Sequence, residues 1–239
     1  MGGAVLRDVS ALGDVLRTIL EAASAANAGM LCITPPPAAG WGDMPDAQSA
    51  FAAAGFKRHD WLTLLVDLTV DETTLNERLH RSAPKAIRRA KREGLAVERL
   101  TDRAELAERF FRVYARFSGI DAETLTARGL ATVDADDRCA YTWFVAVDTA
   151  GDVAATLGTC RHGGVAMEVM SSRTPDSTAP AQDLLHWEAL CHHRAAGDEV
   201  FDLAGVSPSP HTAAEAGIRR FKEKWGGSAV AMPRYDIAL

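Results

Sequence analysis

The sequence lacks the features that would carry it out of the cytoplasm or into a bilayer. Its start has neither the basic segment nor the continuous apolar core of a signal peptide. The longest uncharged run, residues 22 to 42, contains three consecutive prolines and mostly small side chains, which argues against a membrane span. We therefore expect a cytoplasmic protein with no integral membrane segment.

Patterns typical of metal sites and disulfides are also missing. The sequence has no C-x-x-C pair, and its four cysteines are far apart: Cys32, Cys139, Cys160 and Cys191. We expect reduced, buried thiols. His186 and His193 are seven residues apart on one predicted helix, too far to share a zinc ion, so no metal site is expected.

Positive charge is concentrated in two short segments of an otherwise acidic chain. Residues 81 to 92 hold six basic side chains and no acid, and residues 217 to 227 hold four basic side chains and one acid. Because the net charge of the whole chain is −6, the rest of the chain carries about −15. This segregation favours a polyanionic partner, with an ordinary solvated helix face as the alternative.

Hydrophobic periodicity indicates that helices and strands alternate along the first half of the chain, which predicts an α/β protein. A helix is predicted from Asp71 to Arg92, with a break at Pro84. Another, over residues 102 to 117, places Leu106, Phe110, Val113 and Phe117 on one face. The other predicted elements are a helix at 10 to 27 and strands at 30 to 34, 61 to 68 and 95 to 100.

The second half predicts three strands joined by turns, as in an antiparallel meander, at 141 to 148, 153 to 161 and 165 to 172. Four further elements are predicted after the meander: a helix at 180 to 196, a strand at 199 to 206, a helix near 217 and a strand near 228 to 236. This order resembles the GNAT acyltransferase fold, which has a mixed sheet flanked by helices.

The loop in which ordinary GNAT enzymes bind the pyrophosphate of acetyl-CoA has an unsuitable sequence here. Residues 171 to 185 contain no glycine, and Pro175 and Pro180 lack the backbone N–H groups that cradle phosphate. Acetyl-CoA is therefore disfavoured as donor. Arg173, at the end of the preceding strand, is a candidate substrate-binding residue, with a surface turn as the alternative.

Three segments resemble the Fem enzymes, which add amino acids from aminoacyl-tRNA to peptidoglycan precursors. The stretch at 63 to 98 resembles the segment that joins their two GNAT-like halves. The stretch at 184 to 206 resembles their Leu-Leu-x-Trp helix and following strand, and "GIRRFKEKWGG" resembles their closing signature. The resemblance implies aminoacyl-tRNA as co-substrate, no cofactor, and an amine acceptor on a cell-wall precursor, peptide or natural-product intermediate.

The sequence departs from the Fem pattern in its first half. Residues 1 to 68 correspond to a partial first GNAT-like half, and residues 69 to 239 to a complete GNAT-like domain. We expect no counterpart of the helical arm that some Fem enzymes carry in the second half, since only 23 residues separate Phe117 from Tyr141.

The segment at 217 to 227 contains the candidate catalytic residue. Ile218, Phe221 and Trp225 recur at helical spacing and are expected to dock into the core. Lys222 matches the lysine implicated in transfer by the Fem enzymes, where an ammonium would neutralise the terminal phosphate of the tRNA. Phe221 either stacks on a terminal base or packs in the core. Two further side chains are expected on the solvated face: Arg219 and Lys224.

The other basic segment predicts a cationic helix face formed by Lys85, Arg88, Arg89 and Arg92. Such a face suits a nucleic-acid backbone or the pyrophosphate of a UDP-linked or lipid-linked sugar, and a solvated helix face is the alternative.

Together these features favour an aminoacyltransferase. Transfer from an activated ester needs alignment and oxyanion stabilisation more than a catalytic triad, and no triad is evident. The sequence identifies no general base. Two alternatives stay open: a GNAT-type N-acyltransferase that uses acyl-CoA, and a noncatalytic module that binds tRNA or a partner protein.

Overall fold

A computed structural model describes residues 9–35, 44–135, 140–174 and 179–239. Pro175 of the donor loop and Cys139 lie outside these residues. The described residues form two compact units by their internal contacts. The first is formed within Met1–Leu64, Gly205–Arg220 and Ser228–Leu239, and the second within Leu65–Ala204 and Phe221–Gly227. The predicted domain boundary at residue 68 stays a prediction.

Helices and strands alternate as the periodicity predicts, and no described helix is long and apolar enough to cross a bilayer. In chain order the elements are α1 (Leu12–Ala25), β1 (Met30–Ile33), α2 (Pro45–Ala53), β2 (Lys57–His59), β3 (Leu62–Asp67), α3 (Glu72–Arg78), α4 (Ser82–Arg92), β4 (Ala96–Leu100), α5 (Arg103–Glu105), α6 (Arg112–Ser118), α7 (Ala122–Ala135), β5 (Ala140–Val147), β6 (Val153–His162), β7 (Val165–Arg173), α8 (Ala181–Ala195), β8 (Val200–Val206), α9 (Ala213–Glu223), β9 (Ser228–Ala231) and β10 (Arg234–Ala238).

The first unit contains a small antiparallel sheet with strand order β1-β10-β2. Phe51 of α2 stacks on Tyr235 of β10, with ring centroids 3.7 Å apart, and both side chains are buried with Leu12 and Leu16 of α1. The single strand predicted at 228 to 236 is instead two strands, because Pro233 cannot donate a ladder hydrogen bond and lies between β9 and β10.

The second unit contains most of a seven-stranded, mainly antiparallel sheet with the order β4-β5-β6-β7-β8-β3-β9. β7 and β8 pair in parallel over three positions, of which Met167↔Asp202 is the last among the described residues. β7 continues to Arg173 alongside β6 only. Among the described residues, the pairing of the two parallel strands therefore ends just before Glu168.

The predicted helix from Asp71 to Arg92 is two helices, and its break precedes Pro84. Asp71 begins α3 as a side-chain cap, accepting a hydrogen bond of 2.7 Å from the Thr74 amide. α3 ends at Arg78 and α4 begins at Ser82. Pro84 therefore lies in the first turn of α4, where its missing N–H costs no helical hydrogen bond.

The predicted helix at 102 to 117 is present, but its middle is wider than an α-helix. A π-helical stretch, Leu106–Phe111, connects α5 to α6. The extra residue in this turn rotates the residues that follow, so Phe110 and Phe111 are both buried whereas Phe117 is 60% exposed. The prediction that Phe117 shares the buried face was therefore wrong.

Gly158 permits this helix to pack closely on the sheet. It pairs with Trp143 across β5 and β6, and the Trp143 ring lies edge-on to Phe110 at 4.7 Å between centroids. A Cβ atom at residue 158 would lie 2.5 Å from Cζ3 of Trp143 and 3.2 Å from Phe110. A side chain there would displace the aromatic cluster.

We therefore expect Gly158→Ala to lower the free energy of unfolding by about 1–3 kcal/mol, the usual range for overpacking. Urea titration of the purified proteins measures the change. The control is Gly13→Ala in α1, where a Cβ would meet nothing within 4 Å. That variant should be as stable as the unaltered protein or more stable by up to about 1 kcal/mol. Equal stability of the Gly158→Ala variant would contradict this packing.

Candidate functional site

A buried carboxylate lies at the point where β7 separates from β8. Glu168 is 8% exposed and follows Met167, the last β7 residue paired with β8. The β6–β7 register shifts at this point, since Gly158 pairs with Met170 and Thr159 with Glu168. This β-bulge adds one residue to β7, and bulges often redirect side chains beside active sites.

Both oxygens of Glu168 have hydrogen-bonding partners. Oε1 accepts a hydrogen bond of 2.6 Å from the Ser171 hydroxyl, and Oε2 lies 3.2 Å from Nε2 of His186 on α8. Nδ1 of His186 lies 2.8 Å from the backbone oxygen of Gln182, which only accepts, so Nδ1 carries hydrogen. A proton must also lie between Nε2 of His186 and Oε2 of Glu168.

The electrostatic surroundings of Glu168 favour its ionised form. Burial raises the pKa of Glu168, but the hydrogen bond and charge of His186, the charge of Lys222 and the Ser171 hydroxyl outweigh burial and lower the pKa to about 2. The sequence alone identified neither residue of this pair, because strand and helix periodicity do not reveal which polar side chains meet.

The residues 221 to 225 pack against His186. Trp225 is fully buried, and its ring stacks on His186 with centroids 5.5 Å apart. Phe221 is partly buried and lies edge-on to the same imidazole at 4.9 Å. Docking of Trp225 in the core is thus confirmed. Ile218 is 51% exposed, so its predicted docking was wrong.

Lys222, the candidate catalytic residue, is buried at 8% exposure, and its charge acts on Glu168. Lys222 directly follows Phe221, whose side chain is partly buried. The structure therefore brings together Phe221 and Lys222, which were predicted, with Glu168 and His186, which were not. The role of Lys222 in transfer stays a prediction.

Lys224 is not on a solvated face as predicted. Its Nζ atom lies 2.5 Å from Oδ1 of Asp183 and 3.9 Å from the centre of the Phe221 ring. Burial lowers the pKa of Lys224, against the opposing effect of Asp183. The prediction failed because α9 ends at Glu223, so that Lys224 leaves the helical register. Arg219 likewise is partly buried and donates to the Pro208 carbonyl at 2.7 Å.

Two buried polar atoms in this region have no hydrogen-bond partner among the described residues. They are Oε1 of Gln182 and Nε1 of Trp225. The Gln182 amide nitrogen is satisfied, since it donates to the backbone oxygens of Thr156 and Ser172. Buried polar atoms usually have partners, so these two atoms are exceptions within the described residues.

The cationic face on α4 has the exposure that its spacing predicts. Ala83, Ile87 and Ala90 form the buried face of α4, and four basic side chains are exposed: Lys85, Arg88, Arg89 and Arg92. Arg89 forms an ion pair of 2.7 Å with Glu93 on the same helix. We call these four residues the basic face. Whether it binds a phosphate backbone stays a prediction.

Backbone contacts hold the start of α4 beside the 221–227 segment. The His80 amide donates to the Lys224 carbonyl at 2.9 Å, two residues before α4 begins. Gly226 has a φ of +75°, and a Cβ there would lie 2.5 Å from the Arg78 carbonyl oxygen. The glycine is thus required for close approach. Arg173 is exposed at the end of β7, and its substrate-binding role stays a prediction.

The cysteines and the second buried histidine, His193, lie outside the cluster around Glu168. Burial raises the pKa of the Cys191 thiol to about 12, so this cysteine is a poor nucleophile. Cys160 is buried as predicted, but Cys32 is exposed. His193 is buried between Thr159 and Asp198, at 2.8 and 2.9 Å. No cluster of His, Cys, Asp or Glu in the described part of the chain could hold a metal ion.

No family model matches the chain, and no curated protein does. Among solved structures, it resembles FemX with a TM-score of 0.62 at 15% identity, over 97% of this chain and 77% of that one. L-PGS from Bacillus licheniformis matches with a TM-score of 0.60 at 13% identity, over 95% and 73%. A tandem GNAT protein from the clavulanic acid biosynthesis pathway matches with a TM-score of 0.59 at 14% identity, over 96% of this chain and 69% of that one. The chain has the GNAT fold.

The predicted fold class is therefore confirmed, and so is the resemblance to the Fem enzymes at the level of the fold. Sequence identities this low establish fold and leave the activity to be argued from the site.

The Glu168 environment predicts a specific dependence of stability on pH. Folding lowers the pKa of Glu168 from 4.5 to about 2, so its ionised form contributes stability above about pH 4.5. This contribution, roughly 3 kcal/mol, is lost as the pH falls toward 2. Glu168→Gln removes the titrating group and should flatten the pH dependence of the unfolding free energy below pH 5, as measured by urea titration.

The control is Glu108→Gln, which removes an exposed carboxylate whose ion pair with Arg112 is on the surface. It should keep the pH dependence of the unaltered protein. A Glu168→Gln variant whose stability falls as steeply as that of the control would show that Glu168 gains nothing from His186 and Lys222.

Proposed function

We propose that this protein transfers an amino acid from aminoacyl-tRNA to an amine on a peptidoglycan precursor, another peptide or a natural-product intermediate. The observation that carries the proposal is the buried Lys222 beside Phe221, within a GNAT fold, at the position that the Fem resemblance assigns to catalysis. The fold supports the broader class of acyltransferase, and the tRNA donor rests on Lys222 and the basic face.

In the proposed reaction the acceptor amine attacks the ester carbonyl of the aminoacyl-tRNA. A C–N bond forms, the ester C–O bond breaks, and the amine proton passes to the ribose oxygen that leaves. The ester is already activated, so the protein contributes alignment of the two substrates and stabilisation of developing negative charge. The tRNA supplies the acyl group, and the reaction needs no cofactor.

Lys222 has the surroundings that such a role requires. A buried ammonium interacts with a phosphate or oxyanion more strongly than an exposed one, because little water competes. Phe221 is partly buried next to Lys222, which leaves part of its ring to stack on a terminal base. We assign Lys222 to the charge that develops during transfer and Phe221 to the end of the tRNA.

The basic face supplies attraction along the rest of the acceptor arm. Its four exposed cations face solvent on α4, whose start is tied by His80 to the Lys224 carbonyl. Arg173, exposed at the end of β7, is the remaining candidate for substrate binding. Both substrate classes are found in the cytoplasm, where we place the reaction.

An acyl-CoA-dependent N-acyltransferase is the second candidate, because the GNAT fold is also that of a GCN5-related N-acetyltransferase from Sphaerobacter thermophilus, with a TM-score of 0.55. Purified protein incubated with radiolabelled aminoacyl-tRNA, or with acetyl-CoA, and a panel of amine acceptors separates these functions. We expect label on the acceptor from aminoacyl-tRNA only. Label from acetyl-CoA only would establish the alternative, and tRNA binding without transfer would indicate a noncatalytic module.

Replacing Arg88 and Arg89 together by Ala should weaken tRNA binding and flatten its dependence on salt. Each phosphate that a cation neutralises releases counterions, so the slope of log K against log salt should decrease by up to about 2. The control removes two exposed arginines from α6, Arg112 and Arg116, and should leave both quantities unchanged. An unchanged slope in the first variant would remove the basic face from the binding site.

Lys222→Met keeps the bulk of the side-chain stem and removes its charge. Transfer should fall ten- to thousandfold, about 1.4–4 kcal/mol of transition-state stabilisation, with the protein still folded. Trp225→Ala removes a fully buried ring and should lower the unfolding free energy by about 3–5 kcal/mol, with activity lost only as folded protein is lost. Full turnover by a Lys222→Met variant would exclude Lys222 from catalysis.

A further inference from the structure

Helix α8 begins within residues 171 to 185, the stretch whose counterpart in ordinary GNAT enzymes binds the pyrophosphate of acetyl-CoA. The N-terminus of a helix attracts anions, because its first N–H groups lack partners within the helix and the helix dipole is positive at that end. Whether α8 can bind a phosphate therefore depends on which groups already occupy its first turn.

Most N–H groups at this end of α8 are missing or already bonded. Pro180, at the N-cap, has no N–H. The Ala181 amide donates to the Ala179 carbonyl at 2.8 Å, and the Asp183 amide donates to the Pro180 carbonyl at 3.1 Å. Three of the four backbone positions that could hold a phosphate at a helix N-terminus thus have no free N–H.

A buried ion pair supplies the negative charge that an anionic ligand would otherwise bring. Asp183 lies in the first turn of α8 and is 8% exposed. Its Oδ1 atom lies 2.5 Å from Nζ of Lys224. The carboxylate therefore matches both the positive end of the helix dipole and the Lys224 ammonium, and neither is left for a phosphate.

Two aromatic rings also hold the Lys224 ammonium. Nζ lies 3.9 Å from the centre of the Phe221 ring and 5.4 Å from the centre of the Trp225 ring. These contacts and the ion pair with Asp183 keep the ammonium beside the first turn of α8. Without the carboxylate, the same ammonium would be well placed to bind a phosphate.

We propose that the Asp183–Lys224 ion pair takes the place of an anionic ligand at the N-terminus of α8, and that Asp183 is a specificity-determining residue that excludes donors with a pyrophosphate, such as acyl-CoA. The proposal rests on the proposed function and adds the reason why one class of donor is rejected. An aminoacyl-tRNA needs no anion site here, because its phosphates are assigned to Lys222 and the basic face. Repulsion of the wrong ligand is a common source of specificity.

Isothermal titration calorimetry of the purified full chain with CoA, which carries a pyrophosphate, tests the proposal. Asp183→Asn keeps the shape of the side chain and leaves the Lys224 ammonium without its carboxylate, so this variant should bind CoA at least about tenfold more tightly than the unaltered protein. Adding Lys224→Met removes the ammonium and should cancel the gain. Equal affinity of the Asp183→Asn variant and the unaltered protein would overturn the proposal.

The matched control is Glu188→Gln, which removes one negative charge from the same helix, where Glu188 forms an ion pair of 3.1 Å with Lys91 at the surface. Its affinity for CoA should equal that of the unaltered protein. A gain as large as that of Asp183→Asn would show a general effect of net charge and contradict the role of Asp183. Circular dichroism and urea titration confirm that each variant is folded.

A measurement on the unaltered protein decides the question even if Asp183→Asn does not fold. In NMR spectra of ¹⁵N-labelled protein, excess CoA should leave the amide signals of Ala181, Gln182 and Asp183 unchanged. Shifts of these three signals that saturate with CoA would show a pyrophosphate bound at α8 and would overturn the proposal.

Failure of this inference and failure of the proposed function give different results. If the unaltered protein transfers no aminoacyl group from tRNA, the proposed function fails, and the CoA titrations still decide whether Asp183 excludes a pyrophosphate. If aminoacyl transfer occurs and Asp183→Asn binds CoA no more tightly than the unaltered protein, the function stands and the specificity role of Asp183 does not.

Discussion

The contact between Glu168 and His186 is the interaction on which the rest of the site depends. A buried carboxylate is costly to desolvate, and it is tolerated only when donors and opposite charge surround it. His186 supplies both, and the imidazole is in turn fixed by the Gln182 backbone and by the Trp225 ring. Removing either Glu168 or His186 would leave the other as a buried polar group without this partner.

Several contacts anchor the residues around Lys222 in the 217–227 segment. Trp225 packs on His186, and Lys224 pairs with Asp183 at the first turn of α8, where a negative charge is favourable. Gly226 then approaches the Arg78 backbone too closely for a side chain. With its neighbours anchored in this way, Lys222 is held in a buried position that a long, flexible side chain would not otherwise keep.

The fold was predictable because it depends on patterns that are local in sequence. The meander β5 to β7, helix α8 and strand β8 follow from periodicity and turn residues, and their bounds differ from prediction by about one residue. Three elements were missed: α2, β2 and α7. The sequences of α2 and α7 are rich in small residues and have weak apolar periodicity, and β2 is three exposed residues.

The site was only half predictable for a related reason. Phe221 and Lys222 were found through a motif, whereas Glu168 and His186 become neighbours through the β7 bulge and the packing of α8. Helical spacing also misplaced Lys224, because it assumes one uninterrupted helix through residue 225 and α9 ends at Glu223. Ile218 lies within α9 and is nevertheless exposed, which its spacing does not explain. Apart from Arg173 at its end, β7 has one charged residue, Glu168. This was the available signal, since a charge at a buried strand position needs a partner.

The most direct test of the account is a crystal structure of the protein with a CCA-ended oligonucleotide whose terminal aminoacyl group is attached by a stable amide. We predict a phosphate oxygen about 3 Å from Nζ of Lys222, with Glu168 still in contact with His186. A complex in which every phosphate is bound away from Lys222 would contradict the central claim that this lysine receives the end of an aminoacyl-tRNA.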